Sequence, residues 1–233
     1  MANLKTSAKC LGLLAGLGPA ATVDYYTRLM GRFGALGVTP RIVMSHAEAN
    51  LVRELVKAGD ADSLAAYLSE HIKIVAKAGA DFAAIPAVAP HLCAPQLAKL
   101  SPIPLVDVIE TFAAALDQQG LRRMGMLGSR WVMESRFYDR LKGVELVPLQ
   151  PQEIDLVHDI YMWFVTNARA SSDQIAMLRD IAQRAIARDR LEAIALAGMD
   201  LAVAFDEKTA GFPAIDCARV HIDTLVQAMM GER

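Results

Sequence analysis

The chain has only three cysteines, Cys10, Cys93 and Cys217, and no two stand in a CxxC spacing. An odd, scattered set of thiols builds no disulfide framework, which points to a reducing, cytoplasmic setting. No run of like charges occurs, and the net charge is −2. Phosphate backbones are held by clustered Lys and Arg, so a nucleic acid is not expected as the main partner. No stretch reaches the roughly 18–20 apolar residues of a membrane helix, so no membrane partner is expected either. Leu11 to Ala15 is too short for the apolar core of a signal peptide, and none is read. HxH and HExxH are absent, and His46, His71 and His158 form no ligand spacing. No metal is therefore expected. The turn Gly16-Leu17-Gly18-Pro19 is neither a GxGxxG dinucleotide fingerprint nor a Gly-Lys-Ser/Thr phosphate loop. No cofactor is expected.

What is present is apolar: 54% of the residues, ample for a buried core. Short apolar runs alternate with helical patterns. Leu11–Gly16 reads as a strand ending in a Gly-rich turn, with a helix over Ala20–Met30. Ile42–Met44 is a short strand. Leu64, Tyr67, Leu68, Ile72, Val75 and Ala76 recur at helical spacing over Ser63–Ala78, and Gly79 suits the left-handed stop. Phe82–Ala87 and Leu105–Val108 read as strands, the second followed by a helix to Gln119.

The second half repeats this plan. Strands are expected at Met124–Leu127, Val144–Val147 and Ala193–Ala197, and helices at Met133–Leu141 and Gln174–Ala187. Gly12 and Gly125 are 113 residues apart, and Ala87 and Gly198 are 111 apart. The near-constant offset suggests two lobes of the same internal order. Strands alternating with helices favour an α/β fold with mainly parallel sheets. Ligands on such sheets sit beyond the strands' carboxyl ends. A boundary is expected near Ser101-Pro102-Ile103-Pro104.

Three segments resemble a known family: LGLLAGLGPAATVDYYTRLM (Leu11 to Met30), MGMLGSRWVMESRFYDRL (Met124 to Leu141) and DCARVH (Asp216 to His221). They are similar to the GGMGP…AT, GLLGT and DTTRIH signatures of the aspartate/glutamate (and hydantoin) racemase superfamily. The resemblance runs through most of the chain. It implies two pseudo-symmetric α/β lobes with a ligand cleft between them, and a homodimer. It also implies that the chain from about residue 206 returns to the first lobe, giving 1–102 plus about 206–233 and then 103–205.

The same resemblance exposes a loss. The family delivers one catalytic cysteine in PCNTAH and another in GCTE. Here those segments read Pro86-Ala87-Val88-Ala89-Pro90-His91 and Ala197-Gly198-Met199-Asp200. The cysteine positions are Ala87 and Gly198, which cannot titrate. Racemisation without a cofactor needs two facing groups of moderate pKa, so the two-cysteine mechanism cannot run here. Val88, Ala89 and Met199 also replace polar anchors, and Val132 replaces a further family threonine. Each lost hydrogen-bond partner of a buried carboxylate costs roughly 1–3 kcal/mol. A larger, less polar ligand than aspartate or glutamate is expected.

The candidate acid–base groups are Asp200 and His91, each with a bland counterpart: a helix-start carboxylate for Asp200 and a structural role for His91. Candidate substrate-binding positions are Gly16, Leu17, Gly18, Ser129, Val88, Ala89 and Met199. Cys93 is weighed as a displaced thiol against a small core residue. Tyr161, Met162, Trp163 and Phe164 are either core or dimer packing or a ligand wall. Arg41 and Arg53 both flank the region of a carboxylate-binding arginine. Asp216, Arg219 and His221 read as structural or at the cleft rim, and Cys217 as core. Three functions remain open. They are a diverged enzyme on a small carboxylate with a single base, a non-catalytic binding protein or partner subunit, and a racemase with a rearranged thiol.

Overall fold

Each apolar run expected to be a strand lies in one of two sheets in a computed structural model of the protein. The structure describes residues 5–232; residues 1–4 and 233, at the outer ends of the expected first lobe, lie outside them. The first lobe contains β1 (Thr6–Ala15), α1 (Pro19–Leu36), β2 (Thr39–His46), α2 (Ala49–Ala58), α3 (Ala61–Lys77), β3 (Phe82–Ala84), α4 (Ala94–Leu100), β4 (Leu105–Val106) and α5 (Val108–Gln119). The second contains β5 (Arg123–Leu127), α6 (Arg130–Ser135), β6 (Glu145–Leu146), α7 (Pro151–Asn167), α8 (Ser172–Asp189) and β7 (Ala193–Leu196). Strand β8 (Ala214–Asp216) and helix α9 (Cys217–Met230) follow.

The strand orders are β2-β1-β3-β4 and β6-β5-β7-β8, and every pairing is parallel. The two lobes thus repeat one order: second, first, third, fourth. Gly12 pairs with Ala83 in the first and Gly125 with Ile194 in the second, which explains the repeat spacing. The boundary expected near 101–104 falls before β4, yet β4 pairs with β3 and completes the first sheet, so the second sheet starts only at β5. The chain beyond residue 206 is shared. β8 completes the second sheet, while α9 packs on β1, α1 and α5 of the first.

Several boundaries differ from the sequence reading. The strand expected over Leu105–Val108 stops at Val106 because Asp107 caps α5. Its carboxylate accepts N–H bonds from Ile109 at 2.7 Å and Glu110 at 3.2 Å. The helix expected over Met133–Leu141 breaks at Ser135. Arg136, Phe137, Tyr138 and Asp139 take positive φ of 50–56°, where L-residues are uncommon. Phe137 thereby becomes fully buried and stacks on Phe112 with centroids 5.4 Å apart. Tyr138 reaches across to donate its hydroxyl to the Ala89 carbonyl at 2.6 Å.

One core cluster runs from Leu11, Leu13 and Tyr25 through Phe112 and Phe137 to Phe164 and Ile181. A second lies under α2 and α3, around Leu14, Leu64, Leu68 and Ile72. Apolar packing on both faces is what parallel strands require. No helix among the described residues is long and apolar enough to cross a membrane.

Candidate functional site

The loops beyond the carboxyl ends of β1, β3, β5 and β7 converge on one cleft. Leu17, Pro86 to Ala89, Ser129 and Met199–Asp200 come from those loops, and α2 adds Val52, Arg53 and Val56. Trp131 and Val132 of α6 and Tyr161 of α7 complete the wall. The cavity is about 60 Å³, several times the space one water occupies and suited to a small ligand. Its surface is mainly aliphatic, as the changed motifs implied.

Asp200 lies in the 3-10 turn Met199–Val203 and is 3% exposed. The turn brings it from the second lobe onto the first turn of α1. Its Oδ1 accepts the Ala21 N–H at 3.1 Å. Its Oδ2 lies 3.4 Å from the Tyr161 hydroxyl, a long hydrogen bond. Burial raises the Asp200 pKa, against the N–H groups of Ala20, Ala21 and Asp200 and the Tyr161 hydroxyl, which all favour the charged form. Gly18 leaves room for this arrangement. A Cβ there would fall 2.7 Å from Oδ1 and 2.8 Å from Cγ of Asp200.

Tyr161 covers Gly198, the second family cysteine position. A Cβ on residue 198 would lie 2.7 Å from Cζ and 2.9 Å from Cδ2 of the ring. Burial, and then the Asp200 charge, push the Tyr161 pKa well up, so the hydroxyl is a donor here and not a base. The Tyr161–Phe164 segment thus contributes Tyr161 and Met162 to the ligand wall and Phe164 to the core.

Ser129 is 5% exposed, and its Oγ has no hydrogen-bond partner. It begins α6 without making a side-chain cap. A buried hydroxyl left free in a cleft wall is a donor for an incoming ligand. Of the two flanking arginines, Arg53 lines the cleft, whereas Arg41 is exposed on β2, its N–H bonded to Ser7.

The remaining sequence candidates separate. Ala87, Val88, Ala89, Leu17, Ser129, Met199 and Asp200 meet at the cleft; Gly16, Gly18, Gly198 and His91 stand behind its surface. Gly16 abuts the His46 ring and the Ala47 carbonyl. His91 is 2% exposed and holds the Ala87 carbonyl through Nδ1 at 2.9 Å, with Nε2 buried and unpartnered. Burial lowers its pKa; nearby Asp107 opposes this and Arg140 adds to it. Cys93 is fully buried, and its thiol is pushed up to about 12 by burial, the opposite of an activated nucleophile. Asp216 caps α9 and pairs with Arg28 at 2.8 Å. Arg219 pairs with Glu207 and Asp223, and His221 bonds Tyr25 and the Val106 carbonyl.

Helices α2 and α7 lie outside the helices expected from the sequence. The signal for α7 was available: Gln150 and Glu153 form a capping box around Pro151. Counting from that start places Val157, Tyr161 and Phe164 on one buried face. Nothing comparable marked Trp131 as a wall residue.

A profile of the Asp/Glu/hydantoin racemase family matches residues 14–225. Among solved structures, the fold is similar to a putative Asp/Glu racemase from Yersinia pestis, with a TM-score of 0.82 at 20% identity, covering 95% of this chain and 99% of that one. An aspartate racemase homologue from Pyrococcus horikoshii gives 0.79 at 20% identity, with 95% and 99% covered. A maleate isomerase from Pseudomonas putida, solved with maleate, gives 0.56 at 15% identity, with 97% and 92% covered. These likenesses show the fold, and fold alone does not select a reaction.

Proposed function

The chain belongs to the Asp/Glu/hydantoin racemase family, and from that premise we propose that it binds a small carboxylate without two-base racemisation of aspartate or glutamate. The observation that carries this is the Tyr161 ring, which fills the space a side chain at residue 198 would need. The loop from Pro86 to Ala89 adds no ionisable side chain to the cleft. A racemase needs an acid on one face of Cα and a base on the other. Asp200 is a single carboxyl, and Tyr161 holds its proton too tightly to partner it.

The free Ser129 hydroxyl and the Arg53 guanidinium support carboxylate recognition. Val52, Val56, Val88, Val132 and Met199 support a ligand with an apolar body. The protein needs no pyridoxal phosphate for this role. A cytoplasmic homodimer belongs to the same proposal, and a monomer in sedimentation equilibrium would remove the dimer.

The test is isothermal titration with aspartate, glutamate and apolar monocarboxylates, together with Cα deuterium exchange in D₂O. Monocarboxylates should bind more tightly, and neither aspartate nor glutamate should exchange. Tight binding and racemisation of either acid would end this reading.

A second reading is supported by the raised pKa and cleft position of Asp200. Asp200 would then act as a lone acid or base in isomerisation or elimination. Exchange in an amino-acid or hydroxy-acid panel that is lost in Asp200→Asn would favour it.

A further inference from the structure

Helix α1 begins without any cap of its own. Its N-cap is Gly18, which has no side chain to accept from the first-turn N–H groups, and no acidic residue lies in that turn. The unpaired N–H groups and the helix dipole of such an end favour an anion. The group seated there is part of the protein. Asp200, 179 residues from Ala21 in sequence, places its buried carboxylate there. Gly18 lacks the Cβ that would displace it, and Tyr161 closes over the second oxygen. The same ring needs Gly198 beneath it. Two glycines and two side chains therefore depend on one another.

We infer that Asp200 is a specificity-determining residue: a built-in carboxylate that occupies the anion seat at α1 and restricts the cleft to monocarboxylates. This deepens the reading of the cleft as a carboxylate site and rests on it. A ligand's first carboxylate finds Ser129 Oγ and Arg53. A second one, in a cavity of about 60 Å³, meets Asp200 and finds α1 already engaged. Like charges confined at such range disfavour joint ionisation.

The experiment uses the full chain, Asp200→Asn and Asp200→Ala. Butyrate and succinate, four-carbon acids with one and two carboxylates, are titrated by calorimetry. Formate is titrated against thermal unfolding. The wild type should prefer butyrate by at least about tenfold, the factor of one pKa unit of like-charge repulsion. Asp200→Asn should narrow that preference, and Asp200→Ala should reverse it. Formate should raise the Tm of Asp200→Ala and leave the wild type unmoved. Wild-type preference for succinate overturns the inference. So does an unchanged preference in both variants. If the wild type binds neither acid, the carboxylate-site reading fails by itself. The formate arm then still decides whether Asp200 fills an anion seat, and no response removes that claim. Should Asp200→Ala not fold, the isosteric Asp200→Asn carries the selectivity test.

Discussion

Tyr161 and Gly198 determine each other: the ring of one lies where the side chain of the other would begin, with Cζ 2.7 Å from the Cβ position. The pair links α7 to the loop after β7, and Tyr161 carries the arrangement on to Asp200. The lost thiol at residue 198 is therefore not a gap that cysteine could simply refill.

Gly198→Cys should destabilise the protein by about 1–3 kcal/mol, the usual cost of overpacking a filled site. Tyr161→Ala combined with Gly198→Cys should be less destabilised than the sum of the two single variants. Urea unfolding of all four proteins measures this. Wild-type stability in Gly198→Cys, or strict additivity, would show that the ring does not exclude a side chain there.

Asp200 should make stability depend on pH in a defined direction. Its folded pKa lies above its unfolded value, raised first by burial. Its contribution is then fully present below about pH 4, the unfolded value, and is lost as pH rises through the folded pKa. The stability of the wild type relative to Asp200→Asn should fall across that window. A difference that stays level from pH 3.5 to 7 contradicts the burial argument.

His91 should act in the opposite direction. Burial lowers its pKa, and the ring serves the Ala87 carbonyl through Nδ1; a carbonyl only accepts, so Nδ1 carries the proton. Stability is present above the unfolded value of about 6.5 and is lost as pH falls through the folded pKa. Wild type minus His91→Gln should shrink on acidification below that point. The comparison is best made by urea unfolding between pH 7.5 and 5, and a rising difference would refute the neutral-ring assignment.

Ser129→Ala should separate binding from stability. The Oγ is buried with no partner, so removing it should raise stability by about 1 kcal/mol, the lower end of the cost of an unsatisfied polar group. Carboxylate affinity should drop about tenfold, the loss of one hydrogen bond to a charged group. Calorimetry with butyrate beside urea unfolding gives both numbers. A destabilised variant would mean that Ser129 already serves the fold.

The strands were legible because each is a short apolar run closed by a turn residue. The runs expected at Leu11–Gly16, Phe82–Ala87, Met124–Leu127 and Ala193–Ala197 became β1, β3, β5 and β7, with β1 starting earlier at Thr6 and β3 stopping at Ala84. The stop of α3 followed from Gly79, with φ of 98°. The break after Ser135 was not legible. Phe137 and Tyr138 suit a helix locally, and their left-handed backbone is set by Phe112 and Ala89, distant in the chain. At the site, the changed motifs pointed to Ala87, Val88, Ala89, Met199 and Asp200 at the cleft. They did not separate His91, which lies behind it, or choose Arg53 over Arg41.

Residue identity alone determined that no thiol stands at 87 or 198, that the cleft motifs are apolar, and that the two halves repeat. These follow from which atoms are present and how often apolar side chains recur. Only the tertiary structure decided what fills the vacated space. Excluded volume and desolvation act through space, not along the chain. Tyr161 over Gly198, and Asp200 against Gly18, could be known only once the two lobes had closed on each other.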